Sequence, residues 1–203
     1  MSVFNNEILT IGGTLRVQST SPCESNRMKL YEEKMTKVLM TGITGLVGSA
    51  FVTELFRRDD KIKLVALVRG PGNGRGNRSG VERARSAIVE QCEFDNCPEL
   101  AEKFLERIEV VQTDLSDIDD LLTNIDSFQD CDVIFHCAAD VNLGKDPDGK
   151  TFRNNYDSTK NMMGLAKLIS AKALHVVSTA YVAGKLVGRA MEEMPAENTE
   201  FNN

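Results

Sequence analysis

The sequence of 203 residues lacks several features, and each gap narrows what the chain can be. It has no run of about 18 apolar residues, so no membrane-spanning helix is expected. Its first residues lack the apolar stretch of a secretory signal, so none is expected and the setting reads as cytoplasmic. It lacks an excess of cations. The formal net charge is −6, with both signs mixed along the chain, which argues against nucleic acid as a main partner. The five cysteines, Cys23, Cys92, Cys97, Cys131 and Cys137, are odd in number and match no zinc spacing. No metal site is expected, and reduced thiols are the simplest reading. What is present suffices for a packed core: 41% of residues are apolar, and the length suits one domain with an appendage.

The appendage is residues 1–34. "ILTIGGTLRV" can form a small hairpin about Gly12-Gly13, and "QSTSPCESN" reads as a linker. This extension is expected to be poorly ordered. Met35 stands directly before a strong strand and offers an alternative start. The domain is then 35–203.

From Thr36 the hydrophobic pattern alternates between strand and helix. Strands are expected at Lys37–Thr41, Ile62–Val68, Ile108–Gln112, Cys131–His136 and Leu174–Ser178. Ile62–Val68 is apolar almost throughout, the mark of a strand covered on both faces. Helices are expected at Leu46–Arg58, Val81–Phe94, Pro98–Arg107, Ile118–Ser127 and Thr151–Lys172, the last with Leu165, Leu168 and Ile169 inward. "GPGNGRGNRSG", 70–80, reads as a loop. The alternation predicts an α/β fold, a Rossmann-type doubly wound parallel sheet that is incomplete at its C-terminal end.

"KVLMTGITGLVGSA" sets Gly42, Gly45 and Gly48 between the first strand and its helix. Gly42 permits the sharp turn, Gly45 the approach of a diphosphate, and Gly48 close packing of helix on sheet. The free N–H groups of Thr44, Gly45, Leu46, Val47 and Gly48 then face the phosphates. The alternative is a purely structural turn. After the second strand comes "ALVRG", with no acidic residue to take the ribose hydroxyl of NAD. Arg69 can instead pair with a 2′-phosphate, so NADP is favoured and NAD remains open. Arg75 and Arg78 stand in the loop beyond. A solvated strand-end charge is the alternative for Arg69.

Together "VLMTGITGLVGSAFVTEL", "LVALVRG", "IEVVQTDLSD", "DVIFHCAADVN", "NNYDSTKNMMGLAK" and "VVSTAYVAG" resemble the extended short-chain dehydrogenase/reductases. Within that superfamily the chain most resembles the thioester reductase and fatty acyl-CoA reductase branch, the male-sterility type. The resemblance covers about 36–203 and implies a function, hydride transfer from NADPH to a carbonyl, most simply that of an acyl thioester. It implies that Asp114 and Leu115 hold the adenine, that Ala138 and Ala139 leave room for the ribose and nicotinamide, and that Asn155 supports the reacting end. Asp114 as a helix cap and Asn155 as a solvated helix residue are the alternatives. Ser158 stands where the family usually has glycine. His136 reads as structural. Thr179, or Ser178, would polarise the carbonyl, and only one of two successive strand residues can face it.

"HVVSTAYVAGK" also contains Tyr181 and Lys185 at the Tyr-x-x-x-Lys spacing of these reductases. The chemistry needs both on one helical face, and "YVAG" is poor helix sequence straight after a strand. The family's own pair lies on a later helix, so that helix and the substrate subdomain are expected beyond "ENTEFNN", and the chain by itself is expected to be inactive. A different enzyme class, an epimerase or dehydratase acting on a small hydroxy or keto substrate, uses the same cofactor site. A non-catalytic nucleotide-binding module is a third reading.

Overall fold

The computed structural model describes residues 35–71, 77–141, 146–191 and 198–200. The 1–34 extension with its hairpin, Cys23, Arg75 and the final 201–203 lie outside the described residues. The elements in order are β1 (Thr36–Thr41), α1 (Leu46–Arg58), β2 (Ile62–Val68), α2 (Gly80–Phe94), α3 (Ala101–Leu105), β3 (Ile108–Gln112), α4 (Ile118–Thr123), β4 (Val133–His136), α5 (Lys150–Leu168) and β5 (Ala173–Val176). All strand pairs are parallel, in the order β3-β2-β1-β4-β5. This is the doubly wound arrangement, and the chain reverses direction across the sheet between β1 and β4.

Two cores flank the sheet because successive strand residues point to opposite faces. Val38, Met40, Leu64, Ala66 and Val68 pack with Val52 and Phe56 of α1, Ile88 and Cys92 of α2, and Phe104 of α3. Leu39, Val65, Leu67 and Ile134 face the other way, against Leu121, Phe128, Met162 and Leu165. Six of the seven residues of β2 are buried, the burial that its apolar run implied. Among the described residues no helix is long and apolar enough to cross a membrane.

Several boundaries differ from expectation. Pro98–Arg107 divides into a 3-10 turn, Pro98–Leu100, and the short α3. Ile118–Ser127 divides likewise at Asn124. Cys131 still belongs to the turn before β4, its N–H bonded to Phe128 O at 2.9 Å. α5 stops at Leu168 rather than Lys172, because Ser170 takes a left-handed φ of 55° and Ala171 N bonds to Ala166 O at 2.9 Å. Leu168, expected inside, is 59% exposed. Ile169, also expected inside, lies just past the helix and packs against the core.

β5 ends at Val176, two residues early. Its partner β4 ends at His136, the register pairs His136 with Val176, and the last ladder bond runs from Val177 N to His136 O at 2.9 Å. Ser178 and Thr179 are therefore not strand residues, and the alternation argument for choosing between them does not apply.

Candidate functional site

The strands β1, β2, β4 and β5 all deliver their C-terminal ends to one cleft of about 1090 Å³. That is the place where open α/β sheets bind ligands, and the volume stands at the upper end of ordinary ligand pockets, roughly 300–1,000 Å³. A second hollow of about 440 Å³ lies at the opposite end of the strands, lined by Lys37, Asp132 and Lys172 among others. Lys172 and Asp132 are already paired at 2.7 Å, and that end of the sheet is not where this architecture presents chemistry.

The turn after β1 forms one wall. Gly42 has φ 85°, and a Cβ there would come within 2.7 Å of Ala138 N and Cys137 C. The end of β1 thus passes directly against the end of β4. A Cβ on Gly48 would stand 2.0 Å from Gly42 O, so α1 can start this close to the turn only without a side chain there. Gly45 is different. It caps α1 at φ −98°, and its added Cβ would meet only Gly42 O at an ordinary 3.5 Å. Among the described residues nothing requires glycine at 45, whereas a ligand lying on the turn would. Thr44, Gly45, Leu46 and Val47 are all exposed on the cleft, and no acidic side chain occupies the first turn of α1. The cradle fits a diphosphate.

Arg69 stands on the cleft at the end of β2. Arg83, which sequence reasoning missed, joins it there, and its guanidinium donates to Arg69 O. Local structure explains the meeting. Ser79 and Glu82 form a capping box that starts α2, with Ser79 N donating to Glu82 Oε2 at 2.7 Å and Glu82 N to Ser79 Oγ at 3.1 Å. Gly80 then packs so tightly on the sheet that a Cβ would come within 3.3 Å of Val68 Cβ. The first turn of α2 is pressed against the end of β2, which carries Arg83 to Arg69. The sequence signal was the capping box, whose first residue follows Arg78. Arg78 itself is exposed.

Asp114 and Leu115 line the same region from β3. Asp114 is not the helix cap. That role belongs to Asp117, whose Oδ1 accepts from Asp119 N at 3.0 Å and Asp120 N at 3.2 Å. Asp114 Oδ1 accepts from Ser116 N at 3.0 Å and Ser116 Oγ at 2.7 Å. Partial burial pushes its carboxyl up, but these bonds and the charge of Arg69 outweigh that and hold it below the usual carboxylate range.

The other end of the cleft is built on a buried polar network. Thr41 Oγ1 accepts from Cys137 N at 3.1 Å and Ala138 N at 3.0 Å. Both lone pairs are then used, so its hydroxyl hydrogen is left for His136 Nδ1 at 2.8 Å. Nδ1 is therefore the acceptor, and Nε2 carries the proton toward Thr159 Oγ1 at 3.4 Å. Thr159 donates onward to Asn155 O at 2.8 Å. Burial lowers the His136 pKa and keeps the ring neutral. His136 is structural, as expected.

Asn155 is engaged twice. Its Oδ1 accepts from Asp140 N at 2.7 Å and its Nδ2 donates to Asp140 O at 3.0 Å. It pins the segment after β4, where Ala138 and Ala139 line the cleft. Ser158 bonds back to Asn154 O at 2.5 Å and also lines the cleft, so the serine found in place of glycine stays within its own helix. Ser178 and Thr179 complete this end. Positions 181 and 185 do not lie on one helix. The 3-10 turn Ala180–Ala183 is closed by Gly184 at φ 60°, and Lys185 Nζ is paired with Glu200 Oε2 at 3.1 Å.

The cleft gathers the glycine turn, Arg69, Asp114, Leu115, Ala138, Ala139, Asn155, Ser178 and Thr179, and comparison with known proteins agrees with that architecture. A family of NAD-binding domains described as "Male sterility protein" matches residues 40–202. The chain belongs to that family. Human fatty acyl-CoA reductase 2 is 26% identical over 148 residues, covering 71% of this chain and 28% of the relative. The chain thus spans under a third of that relative's length. The terminal R domain of the myxalamid PKS-NRPS biosynthetic pathway superposes with a TM-score of 0.64 at 26% identity, over 83% of this chain and 41% of that one. The reductase domain of a non-ribosomal peptide synthetase from Mycobacterium tuberculosis gives 0.53 at 29% identity, over 73% and 34%. Among the described residues no cluster of His, Cys, Asp or Glu could hold a metal ion.

Proposed function

We propose that this male-sterility-family chain is the NADP-binding part of a reductase that passes hydride from NADPH to an acyl thioester, carried on CoA or on a carrier protein. The observation that carries the cofactor choice is the meeting of Arg69 and Arg83 at the end of β2, with no acidic residue following that strand. Two guanidinium groups match a 2′-phosphate in charge and in planar donor geometry. The substrate class rests on the likeness to fatty acyl-CoA reductase 2 and to the R domains. Four free thiols among the described residues support a cytoplasmic setting.

The bound cofactor supplies the hydride. The N–H groups of Thr44, Leu46, Val47 and Gly48 and the positive end of α1 would hold the diphosphate, while the Gly45 N–H, expected to face it too, is spent on Gly42 O at 3.0 Å. Asp114 would hold the adenine through its carboxylate, with Leu115 beside it on the cleft wall. Ala138 and Ala139 leave space for the ribose and nicotinamide, and Asn155 keeps that wall in place through Asp140. The hydroxyl of Thr179, with Ser178 beside it, donates to the carbonyl oxygen as charge builds there.

Fluorescence titration of the chain with NADPH and with NADH tests the cofactor. Arg69→Ala is expected to weaken NADPH by about tenfold or more and to change NADH little, since a charged hydrogen bond contributes roughly 1.5–3 kcal/mol. Arg83→Ala should act in the same direction. Equal losses for the two cofactors would reject the arginine pair. For the substrate, NADPH oxidation by the natural protein is followed with a long-chain acyl-CoA, and conversion of a nucleotide sugar, which consumes no net NADPH, is followed by chromatography of the sugar. Turnover with the sugar alone removes the thioester reading.

A further inference from the structure

The end of α2 holds chemistry that the nucleotide cleft does not use. Helix α2 closes in a Schellman motif without glycine. Asn96 takes the left-handed conformation at φ 57°, Cys97 N bonds to Cys92 O at 2.8 Å, and Asn96 N bonds to Glu93 O at 3.1 Å. This motif habitually brings the side chain three residues before the helix end against the one two residues after its cap. Here both positions are cysteine. Cys92 is fully buried and Cys97 half-buried, and both are free. The two thiols lie close enough to hydrogen-bond to each other, and the 2.8 Å bond from Cys97 N to Cys92 O ties their backbones together. Burial first, and then the neighbouring Cys97, push the Cys92 thiol up to about 11.

A cation is aimed at the outer sulfur. Arg57 Nη2 stands 3.2 Å from Cys97 Sγ and 2.5 Å from Asp95 Oδ2. Asp95 is itself fixed by Thr53 Oγ1 at 3.3 Å and Gln91 Nε2 at 3.0 Å. The guanidinium is therefore held in place beside the sulfur rather than swinging free.

We propose that Cys97 and Cys92 form a thiol oxidation site, in which the Arg57-facing Cys97 reacts first and the buried Cys92 resolves it to a disulfide. With hydrogen peroxide as oxidant, the Cys97 thiolate attacks one oxygen, the O–O bond breaks, and hydroxide leaves with the electron pair. Cys97 becomes a sulfenic acid. The Cys92 sulfur then attacks Cys97 Sγ and the S–O bond breaks. The Cys92 proton and the departing hydroxide leave as water, so two thiols and one peroxide give one disulfide and two waters. The loop closed holds only the residues from 92 to 97. Loop-closure entropy gained from so short a span is small, and the bond's value is chemical rather than structural.

The reduced chain is exposed to hydrogen peroxide, quenched with N-ethylmaleimide, digested and sequenced by mass spectrometry. The expected result is a Cys92–Cys97 link, short of two hydrogens, that forms before Cys131 or Cys137 changes. Arg57→Leu, checked for folding by circular dichroism, should slow loss of the Cys97 thiol by about tenfold. Cys92→Ser should leave a Cys97 sulfenic acid that dimedone captures. Absence of the link in the folded wild-type chain, a link from Cys97 to Cys23, or an unchanged rate in folded Arg57→Leu overturns the proposal. The wild-type measurement needs no variant and decides the matter even where Cys92→Ser does not fold.

Discussion

The two sides of the sheet about the β1–β4 reversal are built to different standards. On the β1–β3 side, α1, α2 and α3 seal one face, β2 is buried at six of seven positions, and glycines at 42 and 48 allow contacts that no side chain would survive. On the β4–β5 side, α5 buries only Met162 and Leu165 over 19 residues, and no residue of β5 is fully buried. Phe152, Tyr156, Met163 and Val187 are exposed there. The first side derives rigidity from close packing, whereas the second adds to a thinner core the polar network through Thr41, His136 and Thr159. A nucleotide needs a fixed cradle, and the tightest packing stands where we propose that cradle to lie.

The sharpest way to break this contrast uses two glycines three residues apart. Gly48→Ala places a Cβ 2.0 Å from a backbone oxygen. Backbone cannot yield as a flexible side chain can, so a loss of at least ~3 kcal/mol is expected, enough to unfold much of a marginal domain. Gly45→Ala meets no such obstacle. It should cost about 1 kcal/mol or less, the difference between glycine and alanine at a helix cap. Its NADPH affinity should nevertheless fall about tenfold or more, because the new methyl projects where the diphosphate is to lie. Denaturant melts and cofactor titrations of both variants check this. A Gly45→Ala protein that binds normally would show that the turn is structural only.

A second comparison moves from the turn to the sheet. Ile134 in β4 is fully buried, while Val176 in β5, two strand residues further along the neighbouring ladder, is 44% exposed. Ile134→Ala should cost about 2–5 kcal/mol, and Val176→Ala under about 0.5 kcal/mol. Urea midpoints measured at constant slope separate the two. Similar losses at both positions would mean that the exposed face of β5 is covered in solution.

How far these features could be read from the sequence follows the same physics. The glycine turn and α1 were legible because their signals are local: a strand, three glycines and an amphipathic helix in succession. β2 was legible because burial on both faces leaves an unbroken apolar run. The ends were not. α2 and α5 both close with left-handed residues that are not glycine, Asn96 and Ser170, and α5 was therefore read four residues too long. Arg83 was missed because its place in the cleft depends on Gly80 packing against Val68, a tertiary fact. Cys92 and Cys97 were read only as reduced thiols because a contact at i, i+5 belongs to no helical periodicity, only to the motif that ends the helix.

The smallest expected effect tests the network that joins the two sides. His136 is buried and neutral, with its pKa lowered from the ordinary 6.5 by desolvation. The unfolded chain therefore takes up a proton at this ring before the folded chain does. Stability from this group is complete above about pH 6.5 and is lost as the pH falls from there through the lowered folded value. Protonation would also put hydrogen on Nδ1, opposite a Thr41 hydroxyl whose two lone pairs already serve Cys137 N and Ala138 N. Asp114, Asp146 and Glu82, whose carboxyls are held low, lose their contributions in a separate window below about pH 4. Urea midpoints taken between pH 8 and pH 5 should decline toward the acid end in the wild-type chain and lose most of that slope in His136→Gln. An identical slope in both would assign the decline to other groups and leave the neutral ring without support.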